Sequence, residues 1–367
     1  MKIGFDAKRA FNNTSGLGNY SRAVIQSMSE NFSEENFFLF SPSEKNKTGF
    51  SVPANCELIL PNGISKSLWR SYGMLNEWNK LQLNIYHGLS NELPFGLNRS
   101  KAKKIVTIHD VIFKTHPEFY SVIDRTIYEI KTRHSVANAD CIVAVSRQTK
   151  NELMKFYRVE SEKIKVIYQS VPAHIISTVS SAEKDLVKKK YSLPDNFLLH
   201  TGTIERRKNL LTVLKALTRI KNPPALVVCG RETPYLKELK TFLENKKNIS
   251  VQFIHNSSNI ELNSIYSLAY AFIYASLHEG FGIPITEAAT HALPVITSAD
   301  SAMAEAAGDA GILVNPKDEE QIAAAIENLF SDSTLRNKLS DASLMQSRKF
   351  LAKNSAQELM NLYREIC

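Results

Sequence analysis

"AFIYASLHEGFGIPITEAATHALPVITS" (residues 271–298) decides how this chain is read. It opens on a short apolar run and closes on another, each of strand length. Between them lie two glycines, a proline and a helical pattern. Gly280 and Gly282 allow backbone to approach a ligand closely. Pro284 suits the first turn of a helix, so a helix is predicted from about 284 to 292, stopping before Pro294. Strand, glycine loop, helix and strand together make one unit of a parallel sheet covered by helices. Glu279 falls on the loop and Glu287 falls a turn inside the helix, eight positions later. Such carboxylates can meet different parts of one elongated ligand, and they stand too far apart to share a proton.

The same alternation runs outward in both directions. Strands are predicted at 2–7, 37–41, 56–60, 84–88, 104–110, 141–146 and 164–168. A second series follows at 197–202, 225–230, 249–254, 271–276, 293–298 and 310–315. Helical patterns fall at 18–30, 208–220 and 319–332. Two series predict an α/β chain of two doubly wound, Rossmann-like domains facing across a cleft, residues 1–172 and 183–347. Polar "QSVPAHIISTVSSAE" (169–183), with Pro172, reads as the linker. The end of the chain, 334–367, reads as wholly helical, and about 348–367 is expected to pack back on the first domain.

Composition agrees with this plan. A chain of 367 residues is long for one core and suits two domains. Hydrophobic content of 43% and charged content of 22% are ordinary for a globular protein. No apolar run approaches 18 residues, so no transmembrane helix is expected. "MKIGFDAKRAF" reads as a first strand rather than a secretory signal. Cys56, Cys141, Cys229 and Cys367 show no pair spacing and read as free thiols in a reducing cytoplasm. Asn-x-Ser/Thr matches at Asn12, Asn98 and Asn256 carry no weight in such a compartment.

The charge is uneven. Residues 1–172 hold 23 Lys+Arg and 16 Asp+Glu, and residues 173–367 hold 22 and 21, so +7 of the net +8 lies in the first domain. A basic face favours an anionic membrane surface or a lipid diphosphate. A solvated basic surface is the plain alternative. Nucleic acid is not expected, because no nucleic-acid motif or interleaved aromatic pattern is present.

In open parallel sheets, ligands bind beyond the carboxyl ends of the strands. Four places there carry chemistry. In "NTSGLGNYSRAV" (13–24), Gly16 and Gly18 stand between a strand and a helix, as a tight turn or as an anion-binding loop. In "TIHDV" (107–111), His109 and Asp110 follow a strand, as a capping pair or as groups acting on a sugar hydroxyl or a proton. In "HTGTIERRKNL" (200–210), Arg206, Arg207 and Lys208 gather at a predicted helix start, where they suit a diphosphate. The fourth is the opening stretch. No HExxH, CxxC or Asp-x-Asp metal motif and no G-x-S-x-G elbow occurs.

Together these residues resemble the GT4 family of retaining glycosyltransferases, with the GT-B fold. "SLHEGFGIPITEA" (276–288) resembles its Glu-x7-Glu motif, and "GTIERRKN" (202–209) resembles its Gly-x4-Arg-Lys-Asn donor-phosphate motif. "GLGNY" (16–20) and "TIHD" (107–110) resemble its N-terminal glycine loop and acceptor-side His-Asp. "SADSAMAEAAGDAGILVNP" (298–316) resembles the segment that closes the donor pocket. Where many relatives carry Pro-Asn-Gly-Val after the last strand of the first domain, this chain has "YQSV" (168–171).

The resemblance implies a first domain that binds acceptor and a second that binds a nucleotide-sugar donor. It implies that Arg207, preferred over Arg206, and Lys208 hold the donor diphosphate. Glu287 would meet the ribose, Glu279 the transferred sugar, and His109 the sugar and the acceptor. Gly16, Gly18, Gly202, Gly280, Phe281, Gly282 and Ile283 would line the donor. It implies a cytoplasmic, metal-independent hexosyltransferase without cofactor, building a lipid-linked surface glycan such as O-antigen or capsule, and the basic first domain adds the expectation of peripheral association with the inner face of the membrane. GDP-mannose is the favoured donor, and UDP-hexose and dTDP-rhamnose are alternatives. An NDP-sugar epimerase, a phosphorylase and a non-catalytic nucleotide-sugar-binding subunit are the other readings. A dinucleotide dehydrogenase is remote, since Ser21 stands where the fingerprint needs a third glycine.

Overall fold

The computed structural model describes all residues except 62–68, 70–72 and 98–99. The Asn98 match and the start of the basic run at 98–104 lie outside the described residues. The chain divides into two compact units. The first is Met1–Pro172 with Leu351–Cys367, and the second is Ala173–Phe350.

The first unit is built on a seven-stranded sheet. Its strands are β1 (Lys2–Asp6), β2 (Asn36–Phe40), β3 (Cys56–Ile59), β4 (Ile85–Gly88), β5 (Lys103–Ile108), β6 (Cys141–Ala144) and β7 (Ile164–Val166). They lie in the order β3-β2-β1-β4-β5-β6-β7. The second unit has six: β8 (Leu198–Thr201), β9 (Leu226–Cys229), β10 (Val251–Ile254), β11 (Ala271–Tyr274), β12 (Val295–Ser298) and β13 (Gly311–Val314). Their order is β10-β9-β8-β11-β12-β13. Pairing is parallel throughout both sheets. A strand covered on both faces needs apolar side chains on both. β6, β8, β9, β11 and β12 are buried at every position. In each unit the strand order reverses direction between two neighbours, β1 with β4 and β8 with β11. That reversal opens a crevice at the carboxyl ends of the two strands.

The last helix, Ala352–Ile366, belongs to the first unit and seals its core with Leu359, Met360 and Tyr363, all at most 1% exposed. Burying each such side chain stabilises by roughly 1.5–3 kcal/mol. Tyr363 also anchors by polarity: its hydroxyl lies 2.6 Å from His87 Nδ1, and His87 Nε2 lies 2.8 Å from the Thr107 hydroxyl. Burial pushes the His87 pKa down to about 3, so the ring is neutral.

Three local expectations are corrected. The 169–183 stretch is not a plain linker. It holds a short helix, Ala173–Ile176, with Ile175 buried, and it leads into the helix Ser181–Tyr191 through a capping box of Ser180 and Glu183. The chain end is not wholly helical. The helix Ser333–Ser347 gives way to a 3-10 turn, Arg348–Phe350, and to Leu351 in extended conformation. Arg206, Arg207 and Lys208 do not open a helix. They form a 3-10 turn of their own, and Asn209 in the left-handed region (φ 59°) separates it from the helix Leu210–Arg219.

Candidate functional site

The second unit gathers its charges at the β8/β11 reversal. β8 ends at Thr201, and Gly202 follows with φ +124°, a conformation that side chains rarely adopt. The Arg206–Lys208 turn is then stitched to the loop after β11. Leu277 N–H donates to the Arg207 carbonyl at 2.9 Å, and the Asn209 amide donates to the carbonyls of Ala275 (2.9 Å) and Pro316 (2.6 Å). Asparagine tolerates the left-handed conformation and carries two donors, so one residue breaks the helix and ties the break down.

This stitching brings Arg207, Lys208 and Glu279 together. Lys208 Nζ donates to Glu279 Oε1 at 2.5 Å and to the Tyr274 hydroxyl. Arg207 pairs with Glu279 Oε2 and with Glu205 Oε1, each at 2.6 Å, and donates to the His278 carbonyl at 2.8 Å. The Tyr274 hydroxyl donates to Glu279 Oε1 at 3.1 Å. Burial pushes the Glu279 pKa up, but the charges of Lys208 and Arg207 more than reverse this and hold it at about 2. Burial also works against the Arg207 charge, and Glu279 and Glu205 more than restore it. For Lys208 burial wins, so its pKa is lowered despite Glu279. Arg206 points elsewhere. It is 67% exposed, pairs with Glu238 and lies over the Tyr235 ring.

Glu287 sits in a different environment. Its helix is Ile283–Thr290, one residue earlier at the start and two earlier at the end than predicted. Gly282 at φ +117° precedes it, and no side chain caps its amino end. A side chain at Gly282 would be strained by its φ, and the Ile285 side chain, 3.2 Å from the Cβ position, would have to shift slightly. Glu287 is buried and accepts from the Tyr266 hydroxyl at 2.8 Å, which in turn lies 2.7 Å from the Thr201 hydroxyl. Burial raises its pKa to about 7 against the help of Tyr266, and among the described residues no cation offsets the cost as Lys208 and Arg207 do for Glu279.

Of the other loop residues, Phe281 is corrected. Its ring is 3% exposed and packs edge-on against Phe350 at 5.4 Å, so its side chain is core rather than ligand surface. Gly280 lies on the loop, and Ile283 opens the helix half-buried.

His109, Gly16 and Gly18 belong to the first unit. His109 follows β5 and is 5% exposed. Its Nε2 donates to the Leu89 carbonyl at 2.9 Å, and its Nδ1 accepts from the Gln169 amide at 2.8 Å. Burial lowers its pKa to about 4. The neutral ring thus carries its one proton on Nε2, toward the Leu89 carbonyl, and its Nδ1 lone pair faces the Gln169 amide. Asp110 Oδ1 accepts from Ile112 N–H, as a capping carboxylate does. Gly16 and Gly18 form the first turn of the helix Gly16–Asn31 and not a loop before it. A Cβ on Gly18 would sit 1.8 Å from the Asn13 carbonyl oxygen, so close backbone packing requires this glycine.

The family model described as Glycosyl transferases group 1 matches residues 182–344, and the one described as Glycosyltransferase Family 4 matches residues 23–174. The chain belongs to glycosyltransferase family 4. O-antigen chain mannosyltransferase B of Escherichia coli is 27% identical over 387 residues, covering 99% of this chain and 100% of that one. O-antigen chain mannosyltransferase RfbU of Salmonella typhimurium is 33% identical over 228 residues, covering 61% and 60%. A glycosyltransferase from Rickettsia africae has the same fold, with a TM-score of 0.76 at 19% identity over 100% and 98% of the two chains.

Within this family 4 glycosyltransferase, residues that carry no motif complete the site. Tyr274 and Tyr266 each hold one of the two carboxylates, and Glu205 balances Arg207. Tyr274 sits in the apolar strand "AFIY" and Tyr266 in the mixed helix "NIELNSIYSL", and neither setting marks a site residue. Gln169, inside the departing "YQSV", sets the His109 tautomer.

Proposed function

We propose that this glycosyltransferase moves mannose from GDP-mannose to a lipid-linked O-antigen-type glycan, with retention of configuration and without a metal. The observation that carries this reading is the Arg207–Lys208–Glu279 cluster at the β8/β11 crevice, with Lys208 buried, Arg207 and Glu279 17% and 11% exposed, and Glu287 on the next helix. Arg207 and Lys208 would take the donor diphosphate, displacing part of their contact with Glu279. The uncapped helix at Ile283 adds positive backbone potential. Glu287 would accept from the ribose hydroxyls and Glu279 would face the transferred sugar. In the step itself the anomeric C–O bond breaks and its electron pair leaves with the diphosphate. The acceptor oxygen attacks from the same face, and its proton passes to the departing phosphate. The mannose assignment rests on the two relatives named as O-antigen mannosyltransferases.

The test is nucleoside diphosphate release from GDP-mannose, UDP-hexoses and dTDP-rhamnose with a chelator present. Wild type should release GDP alone, and Glu279→Gln and Lys208→Ala should not. Release from another donor corrects the sugar, loss of release on chelation refutes metal independence, and no donor binding at all overturns the reading.

We further propose that the first unit docks on the cytoplasmic face of an anionic membrane. No helix among the described residues is long and apolar enough to cross one. The helix Val122–Asn138 turns Ile123 (73% exposed), Ile127 (44%) and Ile130 (56%) outward on one face, in the unit that carries the +7 charge. Flotation with anionic vesicles is the expected result. It should be lost in Ile123→Asp, and also at a salt concentration of about 0.5 M, where charges are screened within a few ångströms. Equal flotation with neutral vesicles would refute it.

A further inference from the structure

Tyr274, the last residue of β11, belongs to no motif and is 1% exposed. Its ring stacks on His200 of β8 at 5.6 Å and on Phe272 at 5.9 Å. Close packing leaves such a ring little room to tilt, so the direction of its hydroxyl is fixed. The hydroxyl accepts from Lys208 Nζ and donates to Glu279 Oε1 at 3.1 Å, and Lys208 Nζ reaches that same oxygen at 2.5 Å. Phenol, ammonium and carboxylate thus close a triangle with one ionic edge, Lys208–Glu279.

An anionic donor must open that edge. Breaking a buried ion pair is costly when it leaves a charge with nothing to bond. An ammonium has three N–H donors, and a phenol hydroxyl both donates and accepts. Lys208 can therefore turn from Glu279 to a phosphate oxygen without leaving the phenol. Glu279 in turn keeps the phenol O–H when the ammonium turns away. A second carboxylate in place of the phenol would compete with the diphosphate for Lys208, and a neutral hydroxyl does not.

The surrounding groups leave the phenol in this role. Glu279 is ionised, with a pKa of about 2, and Arg207 bridges it to Glu205. Burial, helped by the Lys208 charge, lowers His200 to about 4, so its ring is neutral and its Nδ1 donates to the Ile273 carbonyl at 3.1 Å. Burial, and next the charge of Glu279, lift Tyr274 well above the ordinary 10, so the hydroxyl keeps its proton. Burial lowers the Lys208 pKa against the pull of Glu279, whereas the Arg207 pKa is raised. Of these groups, Lys208 is the one whose charge alkaline pH removes first.

We propose that Tyr274 is a positioning residue of the transfer reaction: its hydroxyl is the pivot on which Lys208 exchanges Glu279 for the donor diphosphate. This deepens the transferase reading above and rests on it.

The test uses Tyr274→Phe, which keeps the ring and removes the hydroxyl. The first readout is the titration of Lys208 in the free protein, followed by NMR of isotope-labelled lysine side chains and assigned by the signal lost in Lys208→Ala. The charged ammonium loses an acceptor in the variant, so its titration should fall by about half a pH unit or more. The second readout is nucleoside diphosphate release across pH, at saturating concentration of the donor that wild type turns over. Activity needs the ammonium and is lost as pH rises through the Lys208 pKa, so the alkaline limb of kcat should move to lower pH by the same amount. At neutral pH kcat should fall roughly tenfold, the worth of one hydrogen bond to a charged group. The phenol holds Lys208 before and after the donor binds, so donor KM should change less than about threefold. A merely structural hydroxyl would lower the melting temperature and leave the titration and the limb in place. A Lys208 titration unmoved or raised, or an alkaline limb that stays where it is in wild type, would overturn the proposal. Failure of every donor in wild type, with the Lys208 titration still displaced in Tyr274→Phe, would instead indict the transferase reading and leave the Tyr274–Lys208 link standing.

Discussion

The crevice at β8/β11 and the crevice at β1/β4 occupy the same place in two sheets with the same strand order around the reversal. The first is filled with paired ions: Glu279 is held at a pKa of about 2 by Lys208 and Arg207. The second has an ion pair too, Lys131 with Glu92, but its lysine is 40% exposed. His109 and His87 beside it are uncharged, at about 4 and about 3. Topology supplies the crevice in both cases, and side chains decide what it takes. An ion-paired crevice suits a ligand that arrives with charge and exchanges it.

The contrast is broken most severely by removing Lys208. Its ammonium is buried and divided between Glu279 and the Tyr274 hydroxyl. If it also stabilises charge developing on the departing diphosphate, Lys208→Ala should lower kcat by about 10²–10³, the usual cost of one such donor (~3–4 kcal/mol). Donor KM should move far less. Single-turnover kinetics would separate the two. Near-native kcat would mean that the charged crevice serves only the fold.

Glu287 sharpens the comparison from inside the charged crevice, because its charge is opposed by burial with no cation among the described residues to restore it. Its folded pKa of about 7 exceeds the ordinary 4.5. Between those values the folded state holds a proton that the unfolded state has lost. Stability attributable to this group is therefore complete below pH 4.5 and declines as pH rises toward 7, by up to roughly 3 kcal/mol. Glu287→Gln removes the decline. Denaturant unfolding at about pH 5 and about pH 8, on either side of that window, should show the variant gaining on wild type at the higher pH. The same substitution should raise donor KM above a pH of about 7, where the wild-type carboxylate accepts from the ribose, and flatten its pH dependence. A variant that gains nothing on wild type at the higher pH would place a cation near Glu287.

Much of this is legible in the sequence. All thirteen predicted strands appear, because strands buried on both faces read as short continuous apolar runs. The Glu279/Glu287 spacing is legible for a similar reason: a glycine loop and a proline fix where the helix starts. Tyr266 and Tyr274 are not. They reach Glu287 and Glu279 through the fold, Tyr266 across 21 residues, and neither a tyrosine in a strand nor one in a helix shows from sequence where its hydroxyl points. The Asn209 break is hidden because "RRKNLLTVLKAL" keeps helical periodicity through a residue that tolerates a left-handed backbone but is held in it by partners distant in sequence, Ala275 and Pro316.

The smallest effect distinguishes neighbours within one turn. Arg206 and Arg207 are adjacent and chemically identical, and sequence alone prefers Arg207 only by its spacing to Lys208 and Asn209. The structure gives them opposite surroundings. Arg207 is 17% exposed and bridges Glu279 and Glu205, whereas Arg206 is 67% exposed and meets Glu238. An exposed ion pair is worth about 0–1 kcal/mol, and a charge outside the crevice touches neither diphosphate nor sugar. Arg206→Ala should therefore change kcat/KM less than about fivefold and barely move the melting temperature. Arg207→Ala, which leaves buried Glu279 with half its counter-charge, should be far costlier in both. If Arg206→Ala proved the more damaging in kcat/KM, the diphosphate would be engaging the outer guanidinium. The line between the charged crevice and its solvated rim would then have to be redrawn one residue earlier.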